Sequence, residues 1–299
     1  MKFSSKYFAA PMVGVSDTAF RIMCRKYGAG LTFTEMTYVA SLARGIDKVK
    51  IDRRKEKSVG IQLAGTNLEE IKSAVDFIDK KVDVYDYNLG CPVNKAQRQK
   101  VGAILMEDPK LVKKVLSKIV DSTNKPVFAK IRSGFKSNNI NYEKIAKIAQ
   151  DVGCSAVTIH PRTAEKKRSG AIFWEHIRDL KNKLKIPVIA NGEIFTPEDA
   201  SYVSNFSNCD YIMLARAAAR DPTIFQQCIN FDKKGNYKFT DKIKLSKEYL
   251  KLTEKYPVKF KVAKEHINYF IKYSEYKNLT QKINKSKDIK ELKSILKKW

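Results

Sequence analysis

Eight short runs of β-branched and aromatic residues, each closed by Gly, Asn, Pro or a charged side chain, recur through roughly the first 220 residues of this chain. They are Tyr7–Met12, Leu31–Met36, Val59–Ala64, Val82–Asn88, Val127–Arg132, Ala156–Pro161, Val188–Asn191 and Tyr211–Ala215. Most are separated by segments whose apolar residues fall at helical spacing. Across 67–81, Ile71, Ala74, Val75 and Ile78 line one face; across 108–120, Leu111, Val112, Val115, Leu116 and Ile119 do the same. Asn67 and Asp108 stand where N-caps belong, their short side-chain oxygens able to accept from amides that a first turn leaves free. Strands alternating with helices eight times predict a parallel barrel, because parallel neighbours need a crossover and the crossover helices cover the outer face. The rival is a doubly wound open sheet, which usually has fewer strands and opens on a G-x-G-x-x-G turn. The first turn here, Ala10-Pro11-Met12-Val13-Gly14, has no such motif. The expected fold class is α/β, a parallel (β/α)8 TIM barrel over 1–230 followed by a small C-terminal helical domain over 231–299.

The β pattern stops after Phe231. Residues 241–256 read as one helix, with Pro257 either ending it or starting the next. Residues 258–273 read as a second, with Phe260, Ala263, Ile267 and Phe270 on its inner face, and 279–299 as a third. This region holds 20 Lys, no Arg and 8 acidic residues, so it contributes +12 of a net +26 from less than a quarter of the chain. Such an excess predicts a polyanionic partner, since Lys and Arg displace condensed counterions from phosphates. The bland alternative is a set of solvated helix faces.

Other classes are disfavoured. No run approaches the ~18–20 consecutive apolar residues of a membrane span, and the apolar stretch after Lys2 and Lys6 is too short for a signal peptide. The expectation is a cytoplasmic monomer. The five cysteines, Cys24, Cys91, Cys154, Cys209 and Cys228, include no CxxC pair, and the three histidines, His160, His176 and His266, complete no zinc spacing. Unpaired thiols and no metal are expected.

In a barrel the reacting groups come from the C-terminal ends of the strands. Those ends here are Pro11-Met12, Glu35, Gln62, Asn88 to Cys91, Lys130 with Arg132, His160 with Arg162, Asn191-Gly192-Glu193 and Ala215-Arg216. Folding alone does not require so many polar groups there. Loops after the seventh and eighth strands often bind phosphate; Gly192 allows close backbone approach and Arg216 supplies a fork of donors. Lys130 and His160 are expected to face the mouth beside that phosphate. Gln62 can both donate and accept toward a ring with imide edges, such as a flavin, and a cation near such a ring stabilises its reduced anionic form. Taken singly, a buried Lys is more often paired with a carboxylate, and His160 could be a satisfied core histidine.

Buried free cysteine is commonly an inert small apolar residue, and that reading suits Cys24, Cys154, Cys209 and Cys228. Cys91 differs because it follows Asn88 and Gly90 and precedes Pro92, on a polar loop over the mouth. A thiol of ordinary pKa, about 8.5, is protonated at neutral pH and can donate a proton.

These residues together resemble the tRNA-dihydrouridine synthases. The matching stretches run in order: Ala10-Pro11-Met12-Val13-Gly14-Val15-Ser16-Asp17 with Phe20-Arg21; Phe33-Thr34-Glu35-Met36; Ile61-Gln62-Leu63-Ala64-Gly65; Asn88-Leu89-Gly90-Cys91-Pro92-Val93 with Lys95; Gly102-Ala103; Lys130-Ile131-Arg132-Ser133-Gly134; Thr158-Ile159-His160-Pro161-Arg162-Thr163; and Pro187-Val188-Ile189-Ala190-Asn191-Gly192. The resemblance spans about residues 7–230 and continues weakly through Lys264, His266 and Tyr269. It implies FMN in the barrel mouth, NADPH as reductant and tRNA as substrate. It also implies that Pro11, Met12, Val13, Gln62, Lys130, His160, Asn191, Gly192, Glu193, Ala215 and Arg216 hold the FMN. Cys91 is then the proton donor, with Asn88, Arg132 and Arg162 near the target base or its phosphate and Lys264 on the tRNA backbone. The chain departs from the family pattern at Ala190 and Ala215, usually Gly, at Glu193, usually Asp, and at Pro161, usually Gly.

Two other readings remain at this level. Dihydroorotate and dihydropyrimidine dehydrogenases share a barrel and a reactive Cys or Ser but act on free pyrimidines and need no +12 tail. A non-catalytic RNA-binding barrel would not require Gln62, Lys130, His160 and Cys91 together. Which uridine would be modified is not legible in one chain.

Overall fold

In the computed structural model of this chain, residues 2–46 and 49–299 are described. Eight strands, β1 Tyr7–Ala9, β2 Leu31–Tyr38, β3 Val59–Ala64, β4 Val84–Leu89, β5 Val127–Arg132, β6 Ala156–His160, β7 Val188–Asn191 and β8 Tyr211–Leu214, form a closed barrel in sequence order. Every neighbouring pair is parallel, and β8 closes on β1 through Tyr7 opposite Ile212 and Ala9 opposite Leu214. Helices alternate with the strands, and a helical region follows. The chain is a (β/α)8 TIM barrel with C-terminal helices, as the alternation predicts.

Strand limits differ from expectation where the backbone runs short of donors or bends. β1 stops at Ala9, three residues before the expected Met12. Pro11 has no amide hydrogen, and the chain then turns so that Val15 and Ser16 both donate to the Met12 carbonyl. β2 instead runs on to Tyr38, past an irregularity in its pairing with β3 between Phe33 and Met36.

Side chains on a strand alternate between the barrel interior and the surrounding helices. The interior set at the N-terminal end of the barrel is apolar: Phe8, Leu31, Phe33, Val84, Phe128, Ile189 and Met213 pack as one buried cluster. Phe3 closes this end, set edge-on against Phe8 at 4.9 Å and Tyr211 at 5.6 Å between ring centroids. Gly60 is required here, because a Cβ at that position would stand 2.5 Å from the Phe33 ring. Each buried aromatic or branched side chain contributes about 1.5–3 kcal/mol relative to exposure. The outward set, including Ile61, Leu63, Tyr85, Leu89 and Ile159, packs against the helices.

Helix Leu68–Ile78 is capped by Asn67, whose side chain accepts from the Glu69 and Glu70 amides. Helix Pro109–Asp121 is capped by Asp108 through Leu111 N, with Pro at its first turn. Helix Ile224–Lys234 runs through residues 230 and 231, so no loop marks that boundary. The helical region then comprises Lys242–Lys255, Phe260–Ile271, Thr280–Lys285 and Ile289–Lys297. The third piece, read as continuous over 279–299, is therefore two helices. Ser286 is extended, and Asp288 caps a new start through Glu291 N.

The helical region is joined to the barrel by buried polar contacts as well as apolar ones. Asp17 at the start of helix Thr18–Lys26 accepts from Phe20 N through one oxygen. Through the other it accepts from Tyr249 Oη at 2.8 Å and meets His266 Nε2 at 2.9 Å. Burial works against the Asp17 charge, but His266, with the Phe20 amide and Tyr249 hydroxyl, outweighs it and holds the carboxyl below its ordinary range. Among the described residues no helix is long and apolar enough to cross a membrane.

Candidate active site

Moving up the same strands, the interior positions turn polar. Gln62 on β3 and Asp86 and Asn88 on β4 form a directed chain. Gln62 Nε2 donates to Asp86 Oδ2 at 2.7 Å, and Asn88 Nδ2 donates to Gln62 Oε1 at 2.7 Å. Asn88 Oδ1 in turn accepts from the amides of Gly90 at 3.0 Å and Cys91 at 2.9 Å. The loop carrying Cys91 thus hangs from a hydrogen-bonded chain anchored on a fully buried carboxylate. Burial pushes the Asp86 carboxyl up to about 7, countered by Gln62 and Lys130. Burial likewise pushes the Lys130 ammonium down, countered by Asp86.

Lys130 Nζ donates to Asn191 Oδ1 at 2.8 Å, and Asn191 Nδ2 donates to the Met213 carbonyl at 2.8 Å, linking β5, β7 and β8 across the interior. His160 is held well below its usual pKa by burial first, then by Arg132, Lys130, Arg162 and Arg216. Its ring is neutral at working pH. It stands against the backbone of Gly192, where φ is +118° and a Cβ would lie 2.5 Å from the imidazole. His160 Nε2, Thr158 Oγ1 and Asp86 Oδ1 are buried without a partner among the described residues. Such atoms are costly unless something else satisfies them.

Arginines tie the loops around the mouth together. Arg132 donates from Nε to the Gly90 carbonyl at 2.7 Å and from Nη1 to the carbonyls of Thr163 and Lys167, both at 3.1 Å. It therefore sets the Cys91 loop against the loop after β6. Burial and neighbouring Arg162 lower its pKa to about 10, which leaves it charged at neutral pH. Glu193 bridges Arg162 at 3.0 Å and Arg216 at 2.7 Å. Burial acts to raise the Glu193 carboxyl, but Arg216 and then Arg162 outweigh it and hold it below the usual range.

A cavity of about 940 Å³ opens over these groups. Of the residues expected to form the site, Pro11, Met12, Arg132, His160, Asn191, Gly192, Glu193, Ala215 and Arg216 line it. Pro92, Val93 and Asn94 form its wall beside Cys91. Gln62, Asn88 and Lys130 lie in the polar layer of the barrel interior, linked to that wall and to Asn191 by the bonds above. Arg162 is buried and does not line this cavity; it pairs with Glu193, which does. Val13 is 67% exposed and stands apart from the lining. Lys264 belongs to the helical region, where its Nζ donates to the carbonyls of Asn284 and Ser286 and closes a helix end.

The cysteines divide as their sequence settings suggest. Cys24, Cys154, Cys209 and Cys228 are buried, and burial raises each thiol pKa. Cys91 is half-buried and packs beside Ala64, Ala96 and Val101. Sequence reasoning missed Asp86, although a signal was present: Val84, Asp86 and Asn88 share one face of an otherwise apolar run. Lys167, Arg168 and Phe195, which also line the cavity, lie on loops with no periodic signal.

The sequence matches the family model described as dihydrouridine synthase over residues 8–298. The chain belongs to the dihydrouridine synthase family. Relatives named tRNA-dihydrouridine synthase B include the protein of Pasteurella multocida, 38% identical over 229 residues, covering 75% of this chain and 69% of that one. That of Xanthomonas axonopodis is 36% identical over 230 residues, covering 76% and 69%, and that of Escherichia coli K12 is 36% identical over 227 residues, covering 75% and 71%. The family match takes in the helical region as well as the barrel.

Proposed function

We propose that this dihydrouridine synthase reduces the C5=C6 bond of uridines in tRNA, with FMN in the barrel mouth, NADPH as reductant and Cys91 as proton donor. The observation that carries this reading is the continuity of the site. One hydrogen-bonded chain, Asp86–Gln62–Asn88, runs from the polar barrel interior to the backbone of Cys91.

The residues present suit a flavin mononucleotide. The cavity volume is at the upper end for a small-molecule site. His160 Nε2 is a buried polar atom in want of a partner, and Gly192, by lacking a Cβ, lets the imidazole pack against the turn that lines the cavity. Arg216 and the Asn191-Gly192-Glu193 turn would hold the phosphate, Pro11 to Val13 and Ala215 would flank the group, and Gln62 would meet its imide edge. Lys130 would lie near that edge, where its charge would favour the reduced anionic form of such a ring. Bound there, FMN supplies hydride, which NADPH replenishes.

The uracil C6 is electrophilic because its double bond is conjugated to the C4 carbonyl. As hydride reaches C6, charge develops on C5 and O4, and the proton of Cys91 Sγ passes to C5. One hydride and one proton thus account for the two hydrogens gained, and the thiolate recovers its proton from solvent. A stacked base cannot reach the mouth, so the uridine enters flipped out. Asn88, Arg132 and Arg162 would orient it. Arg132 acts from a fixed direction because backbone carbonyls hold it. The basic helices of 231–299 would grip the tRNA backbone while the barrel of 1–230 receives the base. Lys264, steadied by the carbonyls of Asn284 and Ser286, and the lysines around it would contact the phosphates. The enzyme is read as cytoplasmic and monomeric.

The deciding experiment incubates the purified protein with NADPH and unmodified tRNA and maps dihydrouridine along the product. A yellow protein that modifies tRNA and leaves free uracil and orotate untouched is expected. A colourless protein that takes up no FMN, or a flavoprotein that reduces orotate but not tRNA, overturns the reading.

A further inference from the structure

A second cleft, of about 610 Å³, adjoins the mouth between the loops after β7 and β8 and the helical region. Phe195 belongs to both cavities. The guanidinium carbons of Arg216 and Arg220 each lie 4.9 Å from the Phe195 ring centroid, and that of Arg220 lies 4.0 Å from the Tyr273 ring. Cation and aromatic therefore alternate, from Arg216 in the main cavity through Phe195 and Arg220 to Tyr273 on the helical side. Arg220 has no carboxylate partner among the described residues, whereas its neighbour Asp221 is taken by Lys242. Asp241, also in the cleft, is engaged in capping its own helix and accepts from Tyr276 Oη at 2.6 Å.

Two aromatic rings in this cleft are left in water. Phe239 is 80% exposed and Tyr273 59% exposed, with Tyr237 set edge-on to Phe239 at 5.3 Å. Exposed aromatic faces beside a flat, unneutralised guanidinium are the chemistry on which unstacked nucleobases settle, with the guanidinium edge free for phosphate. The chain's net +26 favours a polyanion over an acidic-poor protein surface as occupant.

We propose that this cleft receives a second, unstacked nucleobase of the RNA strand, stacked against Tyr273 and Phe239, with Arg220 beside its phosphate. The inference rests on the tRNA reading above. It adds that a nucleotide other than the target uridine is held out of the stack.

The test uses the full-length protein and tRNA transcripts carrying 2-aminopurine, a fluorescent adenine analogue, at single unpaired positions. One position should change its fluorescence on binding, and that response should vanish with Tyr273→Ala or Phe239→Ala and persist with Tyr273→Phe. The KM for tRNA should rise roughly tenfold in either alanine variant, given the usual strength of base–aromatic stacking. Retained thermal melting and FMN content separate this from misfolding, and Tyr273→Phe keeps the fold if Tyr273→Ala does not. The inference is overturned if no position other than neighbours of the target responds, or if the response survives both alanine variants. Failure of the wild-type protein to bind tRNA at all would instead strike the tRNA reading.

Discussion

The two ends of the barrel interior are built on the same strands and at the same alternating positions, yet they share almost no chemistry. Below, Phe8, Phe33, Phe128 and Met213 fill space and leave no polar atom to satisfy. Above, Asp86, Gln62 and Asn88 bond in one chain and Lys130 with Asn191 in another, and His160 Nε2 and Asp86 Oδ1 are still without partners among the described residues. On β5 the change occurs between Phe128 and Lys130, one inward position apart. The lower layer is what folding requires, and the upper layer is what folding tolerates. A polar network left partly open in a low-dielectric interior lowers stability, so its presence marks a site shaped for a ligand.

That contrast can be broken in graded ways. The largest effect falls on chemistry alone: Cys91→Ala should slow uridine reduction by at least about 100-fold, with FMN retained and the unfolding midpoint little changed. A wild-type rate in steady-state assays would remove Cys91 from the reaction. Next, Phe128→Ala should cost about 3–5 kcal/mol in urea unfolding, the usual penalty for emptying a buried aromatic site. Lys130→Met, one layer up, should cost much less while abolishing FMN retention. If Lys130→Met proves the more destabilising, the division between the layers is wrong.

A smaller effect concerns pH. Asp86 titrates higher folded than unfolded, so its contribution is fully present below the ordinary carboxylate pKa and is lost as pH rises toward about 7. Across that window wild type should lose stability relative to Asp86→Asn, as read by denaturant midpoints at pH 5 and pH 8. Equal pH slopes for the two proteins would show that Asp86 stays ionised. The mildest probe is a thiol reagent under native conditions. It should label Cys91 and spare Cys24, Cys154, Cys209 and Cys228, whose burial both blocks access and raises the thiol pKa. Mass spectrometry showing a second labelled cysteine would mean that the barrel opens more readily than its packing implies.

Legibility in the sequence followed the same division. Strands β3, β5 and β7 fall at the expected residues because β-branched runs ended by Gly, Asn or Arg leave little choice of register. The polar strand ends were readable because barrel geometry sends them all to one mouth. What escaped was whatever depends on contacts between distant segments. Asp86 looks like an accident within a strand until Gln62 and Asn88 are seen beside it. Lys264, read as a phosphate ligand, also donates to the carbonyls of Asn284 and Ser286, a contact with no signal in its own segment. The break at Ser286 did leave a signal in the sequence: Ile283 and Ile289, six residues apart, do not share a helical face.

Asp17 gives the molecule a further property. A single carboxylate starts the first barrel helix with one oxygen and receives Tyr249 and His266 of the helical region with the other. The rim of the mouth and the basic helices are thereby referred to one common point, as the jaws of a caliper are referred to its pivot. An RNA held by those helices would be presented to the mouth at a preset reach. The choice among its nucleotides would then be a matter of measured length, settled before any base is read.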